Sequence, residues 1–315
     1  MPKPTIAAII CTYNRDYYLG AAIDSLLAQD CTDYEIIVVD NGSKDRTKAV
    51  VDDRLPHPRL KYVYEPIVGL SVARNRGSRE TQADILAYLD DDAEASPQWL
   101  GCLQEAYLKN PQLAIAGGKV DLIWPDGISQ PQWMSKTMTQ ALGVMDLGSE
   151  MVNITNPNNT PRGVNYSVRR TFLEQVGGFD PNLGRMGKKL LSNEELYMTE
   201  LALNNGWQVT YCPQALVHHN VSPERIKRSW FFHRSWWQGV SEYYRERLSG
   251  KGGNQWLNGA EGLVRGLVKS IKYIHRPDLR LENLIYAYGQ LGYLWNVMQG
   301  IINKTETAPA NDRSQ

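Results

Sequence analysis

Short apolar runs alternate with segments of helical periodicity over residues 5–90, and this alternation constrains the fold more than any other feature. The runs are T-I-A-A-I-I-C (5–11), Y-E-I-I-V-V-D (34–40), L-K-Y-V-Y-E (60–65) and D-I-L-A-Y-L-D (84–90). Strands that alternate with helices form mainly parallel sheets covered on both faces. The pattern therefore predicts a Rossmann-like α/β fold, in which ligands bind at the carboxyl ends of the strands.

The rest of the chain divides where its composition changes. After residue 113 the alternation gives way to a strand-like and loop-rich region, and from about residue 226 aromatic residues become frequent in helical segments. We predict an α/β domain over 1–225, with halves 1–112 and 113–225, and a helical C-terminal segment over 226–302. The polar residues 303–315 are expected to form a disordered tail.

Charge, cysteine content and the length of apolar runs exclude several classes of protein. Lys plus Arg and Asp plus Glu number 34 each, so the charge balance gives no reason to expect a nucleic-acid partner. The four cysteines are scattered, which is typical of reduced thiols rather than of a disulfide scaffold. Neither a signal peptide nor a run of about 18 apolar residues is present. We expect a cytoplasmic protein, or one bound peripherally at the cytoplasmic face of a membrane.

Three consecutive carboxylates follow the fourth predicted strand, at Asp90, Asp91 and Asp92. Because side chains alternate along an extended backbone, Asp90 and Asp92 are expected to face one site while Asp91 points elsewhere. Two hard oxygen ligands suit Mg²⁺ or Mn²⁺, usually shared with substrate phosphates. The alternative is a solvated turn that leads into a helix near Pro97.

Three other polar clusters follow or approach the same strand ends. The segment C-T-Y-N-R-D after the first strand lacks the G-x-G-x-x-G pattern of nicotinamide-binding domains. Tyr13 could stack on a base, Arg15 could contact the ligand, and Asp40 could accept hydrogen bonds from a nucleobase. Arg74 could supply charge near phosphate. Taken singly, each residue is also explained by packing, by a turn or by a solvated helix start.

Taken in order, these clusters closely resemble the family-2 inverting glycosyltransferases. The motifs are P-T-I-A-A-I-I-C-T-Y-N-R (4–15), V-V-D-N-G-S-K-D-R-T (38–47), G-L-S-V-A-R-N-R-G (69–77), L-D-D-D (89–92), R-G-V-N-Y-S-V-R-R (162–170), V-G-G-F-D-P-N-L-G (176–184), E-E-L-Y-M-T-E-L-A-L-N-N-G-W (194–207) and A-L-V-H-H-N-V-S-P-E-R (215–225). The resemblance implies a GT-A fold that binds a nucleotide sugar, with a nucleotide-binding half over 1–112 and an acceptor half over 113–225.

The resemblance also implies residue roles. The nucleoside pocket would be lined by Thr12, Tyr13, Arg15 and Asp40, with Arg74 near the donor. The metal and diphosphate would be held by Asp92 and His219, with Asp90 on ribose or metal-bound water and Arg225 on the diphosphate. The acceptor would be contacted by Gly163 and Asn165.

Inverting transfer needs a base that removes the proton of the acceptor hydroxyl. The candidates are Glu194 and Glu195, where the family more often has Glu-Asp, and alignment on Gly206-Trp207 places the base at Glu195. The alternative for the pair is a solvated acidic start of a helix.

The resemblance predicts transfer of a sugar from a nucleoside-diphosphate donor, with UDP as the first guess, to a glycan, lipid-linked or protein acceptor. Two alternatives are a nucleotidyltransferase, which would carry a Gly-rich phosphate loop after the first strand, and a non-catalytic carbohydrate-binding protein.

The C-terminal segment leaves several interpretations open. Aromatic and basic residues are interleaved over 228–247, and polar residues interrupt the apolar stretch at 281–302. An amphipathic helix at a membrane surface fits this pattern, as does a helical subdomain packed on the catalytic core or a dimer surface. The zero net charge argues against RNA.

Overall fold

A computed structural model describes residues 5–250 and 254–306 of the chain. In chain order, its strands and helices are β1 Ile6–Thr12, α1 Asp16–Leu27, β2 Tyr34–Asp40, α2 Thr47–Asp52, β3 Leu60–Tyr64, α3 Leu70–Arg79, β4 Ile85–Asp90, β5 Ala93–Ala95, α4 Trp99–Lys109, β6 Leu113–Ile123, α5 Lys136–Thr139, β7 Val152–Asn153, β8 Asn165–Arg169, α6 Arg170–Gln175, α7 Glu194–Asn204, β9 Gln208–Asn220, α8 Arg228–Leu248, α9 Gln255–Lys272 and α10 Pro277–Glu306.

The strands form a single mixed sheet in the described residues, in the order β3-β2-β1-β4-β8-β6-β9-β5, with β7 beside β9. The pairs β1–β2, β1–β4 and β2–β3 are parallel, whereas β8 runs antiparallel to β4 and β6. Apolar side chains of these strands are buried between helices on the two faces. The predicted α/β class, with flanking helices and a helical C-terminal extension, is confirmed.

The register of the parallel strands brings the polar clusters together. Cys11 pairs with Asp90, and Thr12 pairs with Asp40, so β1, β2 and β4 end at the same edge of the sheet. The polar residues that end these strands therefore lie side by side at this edge of the sheet.

The three C-terminal helices pack as a layer in which α10 contacts both α8 and α9. At the crossing of α8 and α10, a Cβ on Gly239 would lie 1.9 Å from the carbonyl oxygen of Gly289, so the two backbones approach too closely for any other residue. In the first turn of α8, Phe231 joins an apolar cluster that also contains Met134, Met138, Leu142, Val221 and Ile285.

Two predictions concern the ends of this layer. The helix α10 extends to Glu306, which is four residues into the segment predicted as a tail, and residues 307–315 lie outside the described residues. The domain boundary at 225 stays a prediction.

Over the described part of the chain, none of the helices has the length and apolar character that crossing a membrane requires.

Candidate active site

A cavity of about 510 Å³ opens at the carboxyl ends of β1 and β4 and continues between α7 and α8. It is lined by ten of the thirteen predicted site residues: Thr12, Tyr13, Arg15, Arg74, Asp90, Gly163, Glu194, Glu195, His219 and Arg225. The lining is polar and contains charged side chains of both signs, which suits a charged, hydroxyl-rich ligand.

One wall of the cavity is an acidic cluster with basic partners. Asp90 and Asp91 line the cavity there, whereas Asp92 is 1% exposed, does not line it, and is ion-paired with the guanidinium groups of Arg15 and Arg225, the latter at 3.1 Å. Burial opposes the charged form of Asp92, but His219, Arg15 and Arg225 together hold its pKa well below its ordinary value. Asp92 is therefore a carboxylate at neutral pH.

His219 faces the same carboxylate with its second ring nitrogen. Its Nδ1 lies 2.6 Å from the carbonyl oxygen of Leu142, and donation there leaves Nε2 as an acceptor that lies 3.1 Å from both Asp92 Oδ1 and Arg225 Nη1. The guanidinium of Arg225 donates to this Nε2 and is also ion-paired with Asp92. One ligand atom each from Asp90, Asp92 and His219 lies within 4.8 Å of the other two. This set of oxygen and imidazole donors fits a divalent cation such as Mg²⁺ or Mn²⁺.

The simple alternation predicted for the carboxylates is wrong for Asp91. The strand β4 ends at Asp90, and the chain turns at the next two residues, so the side-chain directions no longer alternate. Asp91 lines the same cavity, and its Oδ1 lies 3.1 Å from Arg15 Nη1. Burial raises the pKa of Asp91 to about 6, against the effect of Arg15.

Arg15 lines the cavity, and its place in a nucleoside pocket stays a prediction. Its guanidinium contacts both Asp91 and Asp92, and these carboxylates raise its pKa above the ordinary value although burial lowers it. Arg15 lies between these carboxylates because adjacent negative charges repel each other, and a nearby guanidinium relieves this repulsion.

The opposite wall is formed by the acidic pair at the start of α7. Arg74 is buried beneath this pair, with its Nη1 2.9 Å from Glu195 Oε1 and 3.3 Å from Glu194 Oε1. The predicted place of Arg74 beside the donor phosphate is therefore not supported by its contacts, because the carboxylate pair takes up its charge. Burial, followed by repulsion from Glu195, raises the pKa of Glu194 to about 8. At neutral pH Glu194 thus keeps its proton.

Gly163 lies directly against this pair. A Cβ at this position would lie 1.9 Å from Glu195 Oε1 and 2.6 Å from Arg74 Nη2. Only glycine leaves room for the carboxylate and the guanidinium together, which agrees with the close backbone approach predicted for this segment. Contact between Gly163 and an acceptor stays a prediction.

The prediction that Asn165 contacts the acceptor is wrong. Asn165 is 0% exposed and does not line the cavity. Its Oδ1 accepts from Trp99 Nε1 at 2.8 Å, and its Nδ2 donates to the carbonyl oxygens of Lys119 and Ala215. These bonds satisfy an amide that ties β8 to α4, β6 and β9 inside the core, where a sugar cannot reach it.

The residues predicted to bind the nucleoside lie at the ends of β1 and β2. Thr12 and Tyr13 line the cavity, and Tyr13 is 39% exposed, as a stacking platform requires. Asp40 is buried outside the lining, where its oxygens accept from Tyr62 Oη and from the backbone N–H of Ser43, each at 2.8 Å. The contact between Asp40 and a base stays a prediction.

Sequence reasoning missed a group of arginines and one glutamine that also line the cavity: Arg162, Arg185, Arg234 and Gln238. Arg234 and Gln238 belong to α8, which therefore forms part of the cavity wall. The available signal was the interleaving of basic and aromatic residues in this helix, since a basic residue on a buried helix face needs an anionic partner or ligand.

The helix α8 also holds the segment that precedes the acidic pair. Asn193 adopts φ +75° immediately before α7, and its Oδ1 accepts from Gln238 Nε2 at 2.7 Å while its Nδ2 donates to Glu242 Oε2 at 3.0 Å. The Ser192 hydroxyl donates to Gln238 Oε1 at 3.0 Å. The orientation of the two glutamates is thus set in part by a helix from the C-terminal segment.

The fold and the match to a family model together identify a glycosyltransferase of the GT-A class. Residues 7–163 match the family described as "Glycosyl transferase family 2". The chain belongs to this family.

Relatives and a solved structure agree with this assignment. The chain is 29% identical over 250 residues to a glucosyl-dolichyl phosphate glucuronosyltransferase of Haloferax volcanii, with 77% of this chain and 78% of the relative covered. It is 27% identical over 225 residues to glycosyltransferase AglE of the same organism, with 70% and 68% covered. Mannosyltransferase PcManGT from Pyrobaculum calidifontis, solved with GDP-Man and Mn²⁺, has the same fold, with a TM-score of 0.57, 17% identity, and 98% of this chain and 77% of that chain covered.

Proposed function

We propose that the chain transfers a sugar from a nucleoside-diphosphate donor to a hydroxyl group, with inversion at the anomeric carbon. The observation that supports this function best is the placement of two unlike acidic groups on the walls of one cavity. Asp90 and His219 line the cavity and form a cation-type donor set with the buried Asp92, whereas Glu194 and Glu195 form an acidic pair at the start of α7. Inverting transfer needs both groups, because charge develops on the leaving diphosphate while a proton leaves the acceptor.

We assign the divalent cation to Asp90, Asp92 and His219. When bound, such a cation neutralises the negative charge that develops on the leaving diphosphate. The chain contributes by holding Asp92 ionised and by fixing the ring of His219 through the carbonyl oxygen of Leu142.

The arginines of the cavity supply the remaining positive charge for the diphosphate. Burial lowers the pKa of Arg225 to about 10, and burial together with repulsion from Arg185 lowers that of Arg234 to about 10. The buried Nε of Arg162 has no hydrogen-bond partner among the described residues. Buried guanidinium groups in these surroundings are stabilised by an anionic ligand. A uridine nucleotide as donor stays a prediction.

Glu195 is the base in this proposal. It is more exposed than Glu194 and faces the cavity, and its charge is held near Arg74 by the 2.9 Å contact. Glu194 beside it keeps its proton at neutral pH, which leaves Glu195 as the member of the pair that accepts the proton of an acceptor hydroxyl in this proposal.

For the acceptor we propose a sugar hydroxyl of a lipid-linked glycan. The relative from Haloferax volcanii named glucosyl-dolichyl phosphate glucuronosyltransferase supports this choice, since the similarity spans 78% of its length. The cytoplasmic location stays a prediction.

The test is to measure release of nucleoside diphosphate from a panel of nucleotide sugars. The purified chain is supplied with a polyprenyl-phosphate-linked sugar as acceptor and with Mn²⁺, Mg²⁺ or a chelator, and the product's anomeric configuration is read by NMR. We expect release only with a divalent cation, loss of release in Asp92→Asn, and inversion in the product. The control is Asp126→Asn, because Asp126 is exposed on the loop after β6. Full turnover by Asp92→Asn with chelator would exclude the cation site, and retention would exclude the mechanism.

A further inference from the structure

The helix α9 has its polarity reversed relative to an ordinary surface helix. Its buried side consists of small residues that pack on α10: Gly259, Gly262, Gly266 and Ser270. Its opposite side exposes large apolar residues: Leu257, Val264, Leu267, Val268 and Ile271. Positions i, i+7, i+11 and i+14 lie on one side of a helix, so Leu257, Val264, Val268 and Ile271 form one apolar strip, in which the exposed Glu261 stands between Leu257 and Val264.

A strip of this kind needs a physical explanation. A surface helix normally turns its apolar side to the core and its polar side to water. Contiguous exposed apolar patches on soluble proteins mark surfaces that bind a partner or a membrane. The side chain of Ile271 in this strip is 71% exposed, so the described residues leave most of its surface uncovered.

Basic residues flank the strip on one side. Over residues 255–280 the basic residues are Arg265, Lys269, Lys272, Arg276 and Arg280, whereas the acidic residues are Glu261 and Asp278. Glu261 is paired with Arg265 at 3.9 Å, and Asp278 is paired with Arg276 at 3.3 Å. Lys269 and Lys272 are both exposed and lie beside the strip. An apolar strip with a basic edge is complementary to a surface that is apolar inside and negatively charged outside.

Aromatic residues occur at the borders of the same layer. Trp256 at the start of α9 is 48% exposed, and Trp295 on α10 is 49% exposed. Tryptophan side chains favour the boundary between lipid headgroups and acyl chains, because the ring is apolar and the indole N–H is polar.

We propose that the exposed face of α9, defined by Leu257, Val264, Leu267, Val268 and Ile271, binds the surface of an anionic lipid bilayer. The sequence pattern had directed attention to 228–247 and 281–302, but α8 is turned toward the cavity and α9 presents the exposed strip. Binding at this face is independent of the proposed transfer reaction, since none of its residues lines the cavity.

Two other occupants are less suited to the strip. The polar segment 303–315 contains no large apolar residue, so it offers nothing to bury there. A second copy related by two-fold symmetry would bring the basic edges of both helices to one interface, where like charges repel.

The test is co-sedimentation of the full chain with vesicles of phosphatidylcholine alone or of phosphatidylcholine mixed with phosphatidylglycerol. We expect binding to the mixed vesicles that weakens as salt is added. Ile271→Gln should lower the partition coefficient roughly tenfold, since it removes one large apolar side chain from the buried area. Lys269→Gln should lower binding to mixed vesicles about fivefold without changing binding to neutral ones.

The matched control is Leu108→Gln, because Leu108 is 74% exposed at the end of α4 and far from α9 in sequence. It should bind vesicles as the unchanged chain does, and all variants should keep the same thermal unfolding midpoint. Equal binding by Ile271→Gln and the unchanged chain would overturn the proposal. So would a dimer in lipid-free solution that Ile271→Gln converts to a monomer, because the strip would then be a contact between copies. Transfer to a lipid-free acceptor is measured in parallel, so that loss of activity and loss of membrane binding are distinguished.

Discussion

Glu194 and Glu195 are neighbours in sequence, yet their surroundings assign them different tasks. Glu195 faces the cavity, whereas Glu194 is 4% exposed and has its pKa raised to about 8. We predict that Glu195→Gln loses about 10²–10⁴-fold in kcat while donor and metal binding are kept, because a missing base affects only the chemical step. Glu194→Gln should lose much less, since an amide can replace the protonated acid. The measurement is steady-state kinetics at saturating acceptor. A dead Glu194→Gln beside an active Glu195→Gln would reverse the two roles.

The raised pKa of Glu194 also predicts a pH dependence of stability. Between its ordinary value of 4.5 and its folded value of about 8, the folded chain keeps this proton while the unfolded chain has released it. The free energy of unfolding therefore falls as pH rises through this window. We expect Glu194→Gln to remove this part of the slope, measured by urea unfolding at several pH values. The control is Glu150→Gln, since Glu150 is exposed, and it should leave the slope unchanged. A slope in Glu194→Gln as steep as that of the unchanged chain would contradict the assignment.

Single residues also show where sequence patterns mislead. Asn165 was expected at the acceptor because of its motif, but burial and hydrogen bonding to three other elements make it a core residue. A motif shows which residue type a position requires, and it does not show whether the requirement comes from a ligand or from packing. Conversely, the close contact at Gly163 could be anticipated, because a glycine beside functional residues often lets another group approach the backbone closely.

At the scale of elements, the link between α8 and α7 was invisible to local patterns. Gln238 donates to Asn193 and accepts from Ser192, two residues that precede the acidic pair. Helical periodicity can predict that α8 exists, but the partner of a polar side chain on it is set by tertiary packing. The strands and their polar ends, in contrast, could be predicted, because burial and chain reversal leave local signals in composition.

This link gives a prediction for α8. In Gln238→Ala the side chains of Asn193 and Ser192 each lose a hydrogen-bond partner, so the glutamates at the start of α7 should sample wrong orientations. We expect kcat to fall by about 10–10²-fold with a smaller change in metal-dependent nucleotide binding. The measurement is kinetics combined with titration of nucleoside diphosphate. Gln214→Ala is the matched control, because Gln214 is exposed on β9. An unchanged kcat in Gln238→Ala would show that α7 orients its glutamates without α8.

At the scale of the whole molecule, the question is whether the boundary predicted at 225 separates independent units. Phe231 and Ile285 lie beyond the boundary, yet both belong to the apolar cluster that covers Met134, Met138 and Leu142. Arg234, which lines the cavity, also lies beyond it. The contacts that cross this boundary are therefore both apolar and functional, unlike those of a flexible linker.

We therefore predict that a chain ended after residue 225 is poorly soluble or unfolds at a much lower temperature, because it exposes this cluster to water. It should also fail to gain thermal stability from nucleoside diphosphate with Mn²⁺, since Arg234 and the link to Asn193 are lost. A chain ended after residue 306 keeps every described element and should match the full chain in both measurements. Thermal unfolding with and without ligand compares the three chains directly. If the chain ended at 225 unfolds at the same temperature and responds equally to ligand, the C-terminal helices are an appendage, and the catalytic unit ends where the sequence pattern placed its boundary.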